Sequence, residues 1–352
     1  MSNSALDAMI AHAAQKPVAL LALARTLLAK GDGTKARELA IQATIAAPDD
    51  PEVRVLAAEI MSHSVPTWHF SIVRDQIRND AYEAALKRAI TPATRVLEIG
   101  TGTGLLAMMA ARAGARDVFT CEVNPAVAKA AADNVAHNGF ADRVHVIAKH
   151  SGDIDADKDL GGKVDLLVSE IVSNNIVGES ALPAHEQALR RLVKPGGQII
   201  PLHGSVHVAL GEDRHWDYMR MDDVSGFNLA PFNALAPPVY QFPPGDDRLR
   251  LKSDSAELFA FDFSTGGPYP EARNGVTVTA SGGAVNGIAQ WISLDMDQTG
   301  HYQNKPGKGV TSNWATLFYP FDKPVTFEAG QRVNITGTHD RQKVRIWLSG
   351  LA

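Results

Sequence analysis

Cysteine is almost missing from this chain: Cys121 is the single one in 352 residues. One thiol excludes an internal disulfide framework, supplies no cysteine cluster for zinc, and fits a reducing compartment. It continues the apolar run DVFTCEV and is expected to be a buried strand residue. Lysine and arginine never gather into a block and the formal net charge is -5, so the electrostatic footprint of a nucleic-acid binder is missing. A basic or peptidic partner suits that balance better. Nowhere do 18 apolar residues follow one another, and MSNSALDAMIAHAAQK lacks a basic stretch leading into an uninterrupted apolar core. The expectation is a cytoplasmic protein with no membrane contact and no lipid anchor. Among the twelve histidines there is no H-x-x-x-H pair on an expected helix. His203 and His207 straddle a strand start and fit surface positions better than metal ligands, so no metal is expected.

What is present falls into three stretches, more than one average domain. Residues 1–62 are rich in alanine and leucine at helical spacing. With Pro17 as the first position of a 34-residue unit, Leu20, Leu23 and Leu27 share one helix face. Ala24, Ala36, Ala40 and Ala43 fall where two helices must approach closely, Gly31-Asp32-Gly33 makes the turn, and Pro51 starts a further helix. This stretch resembles a tetratricopeptide repeat, with room for a protein partner, but one repeat with partial neighbours is too few to stand alone. Across 63–201, short β-branched runs (RVLEIG, DVFTCEV, RVHVIAK, VDLLVSE) alternate with helical stretches. That pattern implies right-handed crossovers and a mostly parallel sheet, a Rossmann-like α/β domain. From 202 to 352 the helical period fades into alternating segments with frequent turn residues, such as SVHVALGE, IAQWISLDM and KVRIWLSG, expected to form an antiparallel β-barrel. The proline-rich and aromatic stretch DDVSGFNLAPFNALAPPVYQFPPGDD is expected to be an ordered excursion rather than a strand, an arm-like insertion near 212–247.

The chemistry begins at Glu98-Ile99-Gly100-Thr101-Gly102-Thr103-Gly104, a strand-to-helix turn whose glycines admit a ligand close to the backbone. The dinucleotide fingerprint G-x-G-x-x-G fails because its sixth position is Leu105. Glu122 ends the next strand, where an acid accepts both ribose hydroxyls; a nicotinamide site uses the same acid, so Glu122 alone does not discriminate. Downstream, VDLLVSEIVSNNIVGESALP carries Glu170 and Glu179 on one loop, and two carboxylates so placed suit a cation. The G-x-G-x-G form resembles the S-adenosylmethionine site of class I methyltransferases.

The flanks narrow that resemblance. WHFSIVRDQIRNDAY (68–82) and the SE…GE loop are similar to segments of the protein arginine methyltransferase family, and the similarity runs from about Trp68 to the C-terminus. SGFNLAPFNALAP resembles the arm segment of the family's type III enzyme and its multi-repeat relatives. The resemblance implies S-adenosylmethionine as cofactor, S-adenosylhomocysteine as product, and a homodimer assembled through the arm. It implies that Arg78 binds the cofactor carboxylate and His69 helps enclose it. Glu98, Gly100, Gly102, Gly104 and Glu122 form the nucleotide side, and Asp153, with His150 and Ser151 beside it, falls nearest the adenine-side acid. Glu170 and Glu179 match the two substrate glutamates. Their role follows from the guanidinium, which is planar, permanently charged and best held by bidentate carboxylate bonds. The family's Thr-His-Trp loop falls at Thr311-Ser312-Asn313-Trp314, with Asn313 in place of the histidine. Asn313 is expected to hydrogen-bond Asp75 but cannot carry a proton, and Trp314 is expected to wall the guanidinium by stacking.

The implied activity is methyl transfer to a guanidino nitrogen of arginine, in a protein or peptide or as the free amino acid. Two alternatives stand beside it: a methyltransferase acting on another amine or small metabolite, and a weakly catalytic adaptor that keeps the cofactor as a structural ligand.

Overall fold

The computed structural model describes residues 3–13, 15–63, 65–216 and 220–351. Residues 1, 2 and 14 of the N-terminal segment, 64, 217–219 of the expected arm, and 352 lie outside the described residues. The chain opens with helices α1 (Asn3–Ala13), α2 (Pro17–Ala29), α3 (Gly33–Ala46) and α4 (Pro51–Ser62). Their starts are locally encoded. Proline opens α2 and α4 at the position where its missing N–H costs nothing, and the Asp32 and Asp50 carboxylates cap α3 and α4. Leu20, Leu23 and Leu27 of α2 pack with Ala36, Ala40 and Ala43 of α3 in a core separate from the rest of the molecule. The small residues let the two backbones approach, as the spacing implied.

The short helix α5 (Trp68–Ile72) and the longer α6 (Gln76–Ala89) lead into the α/β unit. It comprises β1 (Arg95–Ile99), α7 (Leu105–Arg112), β2 (Asp117–Cys121), α8 (Pro125–His137), β3 (Val144–Ile147), β4 (Val164–Ser169), α9 (Ala181–Arg191) and β5 (Val193–Ile200). All five strands are parallel, in the order β3-β2-β1-β4-β5. Strands covered on both faces need near-continuous apolar runs, and every residue of β1 is buried. Strand order reverses between β1 and β4, which opens a crevice beyond their carboxyl ends, the general ligand position of open α/β sheets.

The remaining strands are antiparallel. His203–Asp213, Gly283–Asp295 and Thr316–Phe327 form the middle of a seven-stranded sheet, and Ala272–Thr279, Arg332–His339 and Val344–Leu351 form a second sheet of three. Apolar side chains of both sheets join those of the α/β unit in one continuous core, so the two halves are packed directly against each other. The excursion contains a two-residue hairpin, Asp223–Val224 with Phe227–Asn228, and a 3-10 turn at Ala230–Leu235. One part of the expectation needs correcting: Tyr240–Phe242 is a strand, paired with Thr316–Phe318 at the edge of the large sheet. An edge position tolerates Pro237 and Pro238 just before it, because no inward-facing N–H is lost.

Candidate active site

Beyond the ends of β1 and β4 lies a cleft of about 610 Å³, within the size range of cofactor sites. The glycine turn makes its floor. Gly100, Gly102 and Gly104 have φ of +86°, +50° and +83°, left-handed backbone that other residues adopt at a cost of roughly 1–2 kcal/mol. A Cβ on Gly100 would stand 2.7 Å from Ile171 Cγ2, whereas one on Gly102 would meet nothing within 4 Å. Gly102 therefore faces open space on the ligand side. Gly104 caps α7 and does not line the cleft.

Glu122 is fixed by its surroundings: Gly102 N–H donates to one carboxylate oxygen at 3.2 Å and Asn124 N–H to the other at 2.9 Å. Two lone pairs remain for hydroxyl donors at the cleft rim. Below the floor, Glu98 is almost fully buried; Thr120 Oγ1 donates to it at 2.6 Å and Thr101 Oγ1 lies 2.6 Å from Thr120 Oγ1. Burial pushes the Glu98 carboxyl up to about 8, against the opposing bond from Thr120, so the group is neutral at pH 7. Since the folded-state pKa is raised, this carboxyl stabilises the fold at low pH and loses that contribution as pH rises through about 8. Glu98→Gln, which keeps an oxygen for Thr120, is expected to flatten the fall in melting temperature between pH 6 and 9.5. An unchanged pH dependence would refute the assignment.

His69, on α5, stacks on Trp68 with ring centroids 3.9 Å apart, and both line the cleft together with His150 and Ser151. Asp153 does not line it: the residue is exposed on the 3-10 turn Ser151–Asp153, whereas Lys149, His150 and Ser151 border the space. Arg78, 2% exposed, lines the cleft and connects its two halves. Its Nη2 donates to Asn79 Oδ1 at 2.7 Å, and its Nη1 lies 3.0 Å from Glu170 Oε2.

Glu170 follows β4 directly and Glu179 closes the loop before α9. Burial pushes the Glu170 carboxyl up to about 7; the Arg78 charge pulls it down and Glu179 raises it further. Desolvation likewise holds Glu179 above the usual carboxylate range, with His69 opposing. The loop is tied at its base, where Tyr82 donates to the Ser169 carbonyl at 3.0 Å and His185 Nε2 lies 2.8 Å from Ser169 Oγ. Its tip closes on itself through Gly178 N–H, which donates to Ser173 Oγ and Asn175 Oδ1.

The three expected substrate contacts stand elsewhere. None of Asp75, Asn313 and Trp314 lines the cleft. Asp75 is buried; it caps α6 through Arg78 N–H and accepts from Tyr302 at 3.2 Å. Asn313 does bond Asp75, but through its backbone N–H at 2.9 Å, so the link needs no particular side chain at 313. Trp314 is 4% exposed, its indole N–H donating to the Val172 carbonyl at 2.8 Å. A ring held this way is a brace for the loop rather than an exposed aromatic wall. Thr101, Lys149 and Gln187 line the cleft without having been singled out; Thr101 and Lys149 adjoin recognised motifs, while Gln187 is brought in by the packing of α9. Among the described residues no cluster of His, Cys, Asp and Glu could hold a metal ion, and no helix is long and apolar enough to cross a membrane.

Comparison with known proteins gives this geometry its context. Residues 83–202 match the family model for ribosomal protein L11 methyltransferase (PrmA), and residues 3–60 match a tetratricopeptide repeat model. The chain is 38% identical over 277 residues to an arginine N(omega)-methyltransferase of Streptomyces achromogenes subsp. streptozoticus, covering 78% of this chain and 76% of that protein. It is 34% identical over 252 residues to protein arginine N-methyltransferase 7 of Danio rerio, covering 65% of this chain but only 37% of that longer relative. The fold resembles the Trypanosoma brucei PRMT1 enzyme-prozyme heterotetrameric complex with AdoHcy (TM-score 0.72, 22% identity, 83% of this chain and 95% of that one). It also resembles Arabidopsis thaliana protein arginine methyltransferase 10 (TM-score 0.67, 20% identity, 80% and 93%).

Proposed function

Since this chain belongs to the protein arginine N-methyltransferase family, its reaction is methyl transfer from S-adenosylmethionine to a guanidino nitrogen of arginine, and we propose that Glu170 and Glu179 carry the acceptor half of it. The observation that carries this reading is the placement of both carboxylates on one braced loop at the edge of the cleft, with Arg78 joining Glu170 to the cofactor side. The cleft suits the cofactor: the open position at Gly102 leaves room beside the backbone, and Glu122 is held with lone pairs free for ribose hydroxyls. S-adenosylmethionine, when bound, supplies a methyl group on a good leaving group, the sulfonium. When it is bound, Arg78 would provide a cation for its carboxylate, His69 and Trp68 would cover it, and His150 and Ser151 would hold the adenine.

The protein's own task is then to hold the nitrogen in line with that methyl. Two ionised carboxylates would fix the guanidinium plane and draw positive charge away from the reacting nitrogen, so that its lone pair could take the methyl as the carbon–sulfur bond breaks, the thioether S-adenosylhomocysteine leaves and the nitrogen's proton passes to a carboxylate or water. Positioning of this kind supplies up to roughly 7–11 kcal/mol in well-oriented reactions. We take the acceptor to be arginine in a protein or peptide, or free arginine. The test is transfer of labelled methyl to arginine-rich proteins, peptides and free arginine, with amino-acid analysis of the product. Methylarginine identifies the acceptor class; measurable cofactor binding with no transfer to any guanidine would sink the assignment.

Three further readings accompany this one. The arm presents Phe227, Phe232 and Leu235, which are 70%, 57% and 74% exposed, an apolar strip that suits coverage by a second copy in a homodimer. Replacing all three with aspartate is expected to halve the mass measured by light scattering while leaving the melting temperature within a few degrees; an unchanged mass would count against the arm. The helical repeat is proposed to hold a protein partner. A cytoplasmic location is proposed on the scarcity of cysteine.

A further inference from the structure

The loop carrying Glu170 and Glu179 is strained. Ile176, Glu179 and Ser180 have φ of 68°, 56° and 60°, left-handed backbone that is especially unfavourable for a β-branched residue. Such conformations persist only where the surroundings over-determine them, and they gather at functional sites. Bonds within the loop hold its tip to itself, and the Ser169 contacts hold its start. Neither set fixes where the middle of the loop stands relative to the sheet.

That constraint comes from the barrel. Gln290 interrupts the apolar run Ile288-Ala289 and Trp291-Ile292 in the centre of strand Gly283–Asp295 and has no exposed surface. A buried amide is unfavourable in such a run unless it is bonded. Its Nε2 donates to the Asn174 carbonyl at 2.8 Å, in the middle of the loop. Two neighbouring bonds from the barrel grip the same stretch: Ala315 N–H donates to Asn174 Oδ1 at 2.8 Å, and the Trp314 indole donates to the Val172 carbonyl at 2.8 Å. No motif of the family resemblance includes Gln290.

We infer that Gln290 is a positioning residue for the acceptor site, holding the two-glutamate loop in its strained form through the Asn174 carbonyl so that Glu170 and Glu179 stay in register with each other. This rests on the reading of the two glutamates as the groups that hold the guanidinium. Gln290 touches neither acceptor nor cofactor; its effect passes through the loop. The barrel thereby sets the shape of a site built on the α/β half.

The test compares Gln290→Met, which keeps length and volume without a donor, with Gln290→Glu, whose ionised form cannot donate to Asn174. Gln290→Asn, which keeps the amide but draws its donor back by one methylene from the Asn174 carbonyl, serves if Gln290→Met fails to fold. Steady-state kinetics with the acceptor identified above, calorimetric affinity for S-adenosylhomocysteine and melting temperature are read together. The expected result is a fall of at least tenfold in kcat/KM for the acceptor, cofactor affinity within twofold, and a melting temperature within a few degrees of the wild type. Acceptor kcat/KM within twofold in the folded variants would overturn the proposal, as would equal losses in cofactor affinity and acceptor turnover, the signature of general destabilisation. A wild-type protein inactive on every guanidine would overturn this proposal together with the function reading, whereas an active wild type with an unaffected Gln290→Met would overturn this proposal alone.

Discussion

Glu170→Gln is expected to lower kcat/KM for the arginine acceptor by about 10²–10³-fold while leaving affinity for S-adenosylmethionine within a few-fold. Glutamine keeps the shape and can leave an oxygen where Glu170 Oε2 now stands, 3.0 Å from Arg78 Nη1, so the cleft stays assembled. What disappears is the negative charge facing the guanidinium. Truncating one partner of a desolvated, hydrogen-bonded charge pair typically costs about 2–5 kcal/mol, and 1.36 kcal/mol is roughly tenfold in rate. Glu179→Gln is expected to follow in the same direction with a smaller loss, because Glu179 is the more exposed of the two. Single-turnover kinetics with a labelled methyl donor, alongside calorimetric cofactor affinity, check the result. Turnover within threefold of wild type, or a parallel collapse of cofactor binding, would remove Glu170 from the acceptor site.

Arg78→Met is expected to impair cofactor binding as well as acceptor turnover, since one side chain serves both halves of the cleft. In the wild type, Glu170 titrates at about 7, lifted by burial and restrained by Arg78. Acceptor binding requires the ionised carboxylate, so wild-type kcat/KM should rise with pH through about 7 and then level. Without Arg78 the restraint is gone, the Glu170 pKa rises, and the rise in activity moves to higher pH. At pH 7 the loss should reach about 100-fold or more, compounded by weaker cofactor binding, because breaking a buried pair leaves an uncompensated charge. Stability carries the same sign. A carboxyl whose folded pKa lies above its unfolded value favours folding below the unfolded value, and that contribution is lost as pH rises through the folded one. Arg78→Met should therefore be destabilised more at pH 8 than at pH 6, by up to about 1.4 kcal/mol. Denaturant unfolding across that range and the pH profile of kcat/KM decide it: an acid limb of activity unmoved from wild type, with an equal loss of stability at pH 6 and 8, would show that Arg78 does not set the Glu170 charge.

Much of the architecture was legible in residue order because its causes are local. Pro51 and Asp50 start a helix through the cap itself, and the spacing of Leu20, Leu23 and Leu27 against Ala36, Ala40 and Ala43 states which faces meet. The apolar runs of the sheet and the glycines at 100 and 102 carry their own reasons, burial on both faces for the first and left-handed backbone beside a ligand for the second. Tyr240–Phe242 escaped the same logic, since an edge strand is defined by a neighbour 74–78 residues away and its prolines are harmful only in a central one.

The site divided along the same line. Sequence by itself determined which groups are candidates for its chemistry: the glycine turn, Glu122 at the next strand end, and the two glutamates after β4, each sitting where a short motif meets a strand terminus. Tertiary structure alone decided how those groups are held. That Arg78 pairs with Glu170, that Asn313 reaches Asp75 through its backbone, that Trp314 is a buried brace, and that Gln290 supports the loop all depend on contacts across more than 90 residues of chain. A backbone donor leaves no mark on side-chain identity, and a buried amide in a barrel strand differs from any other polar residue only by what lies opposite it. The raised pKa values of Glu98 and Glu170 belong to the same class: a carboxylate is written in the sequence, but its desolvation exists only once the chain has closed around it.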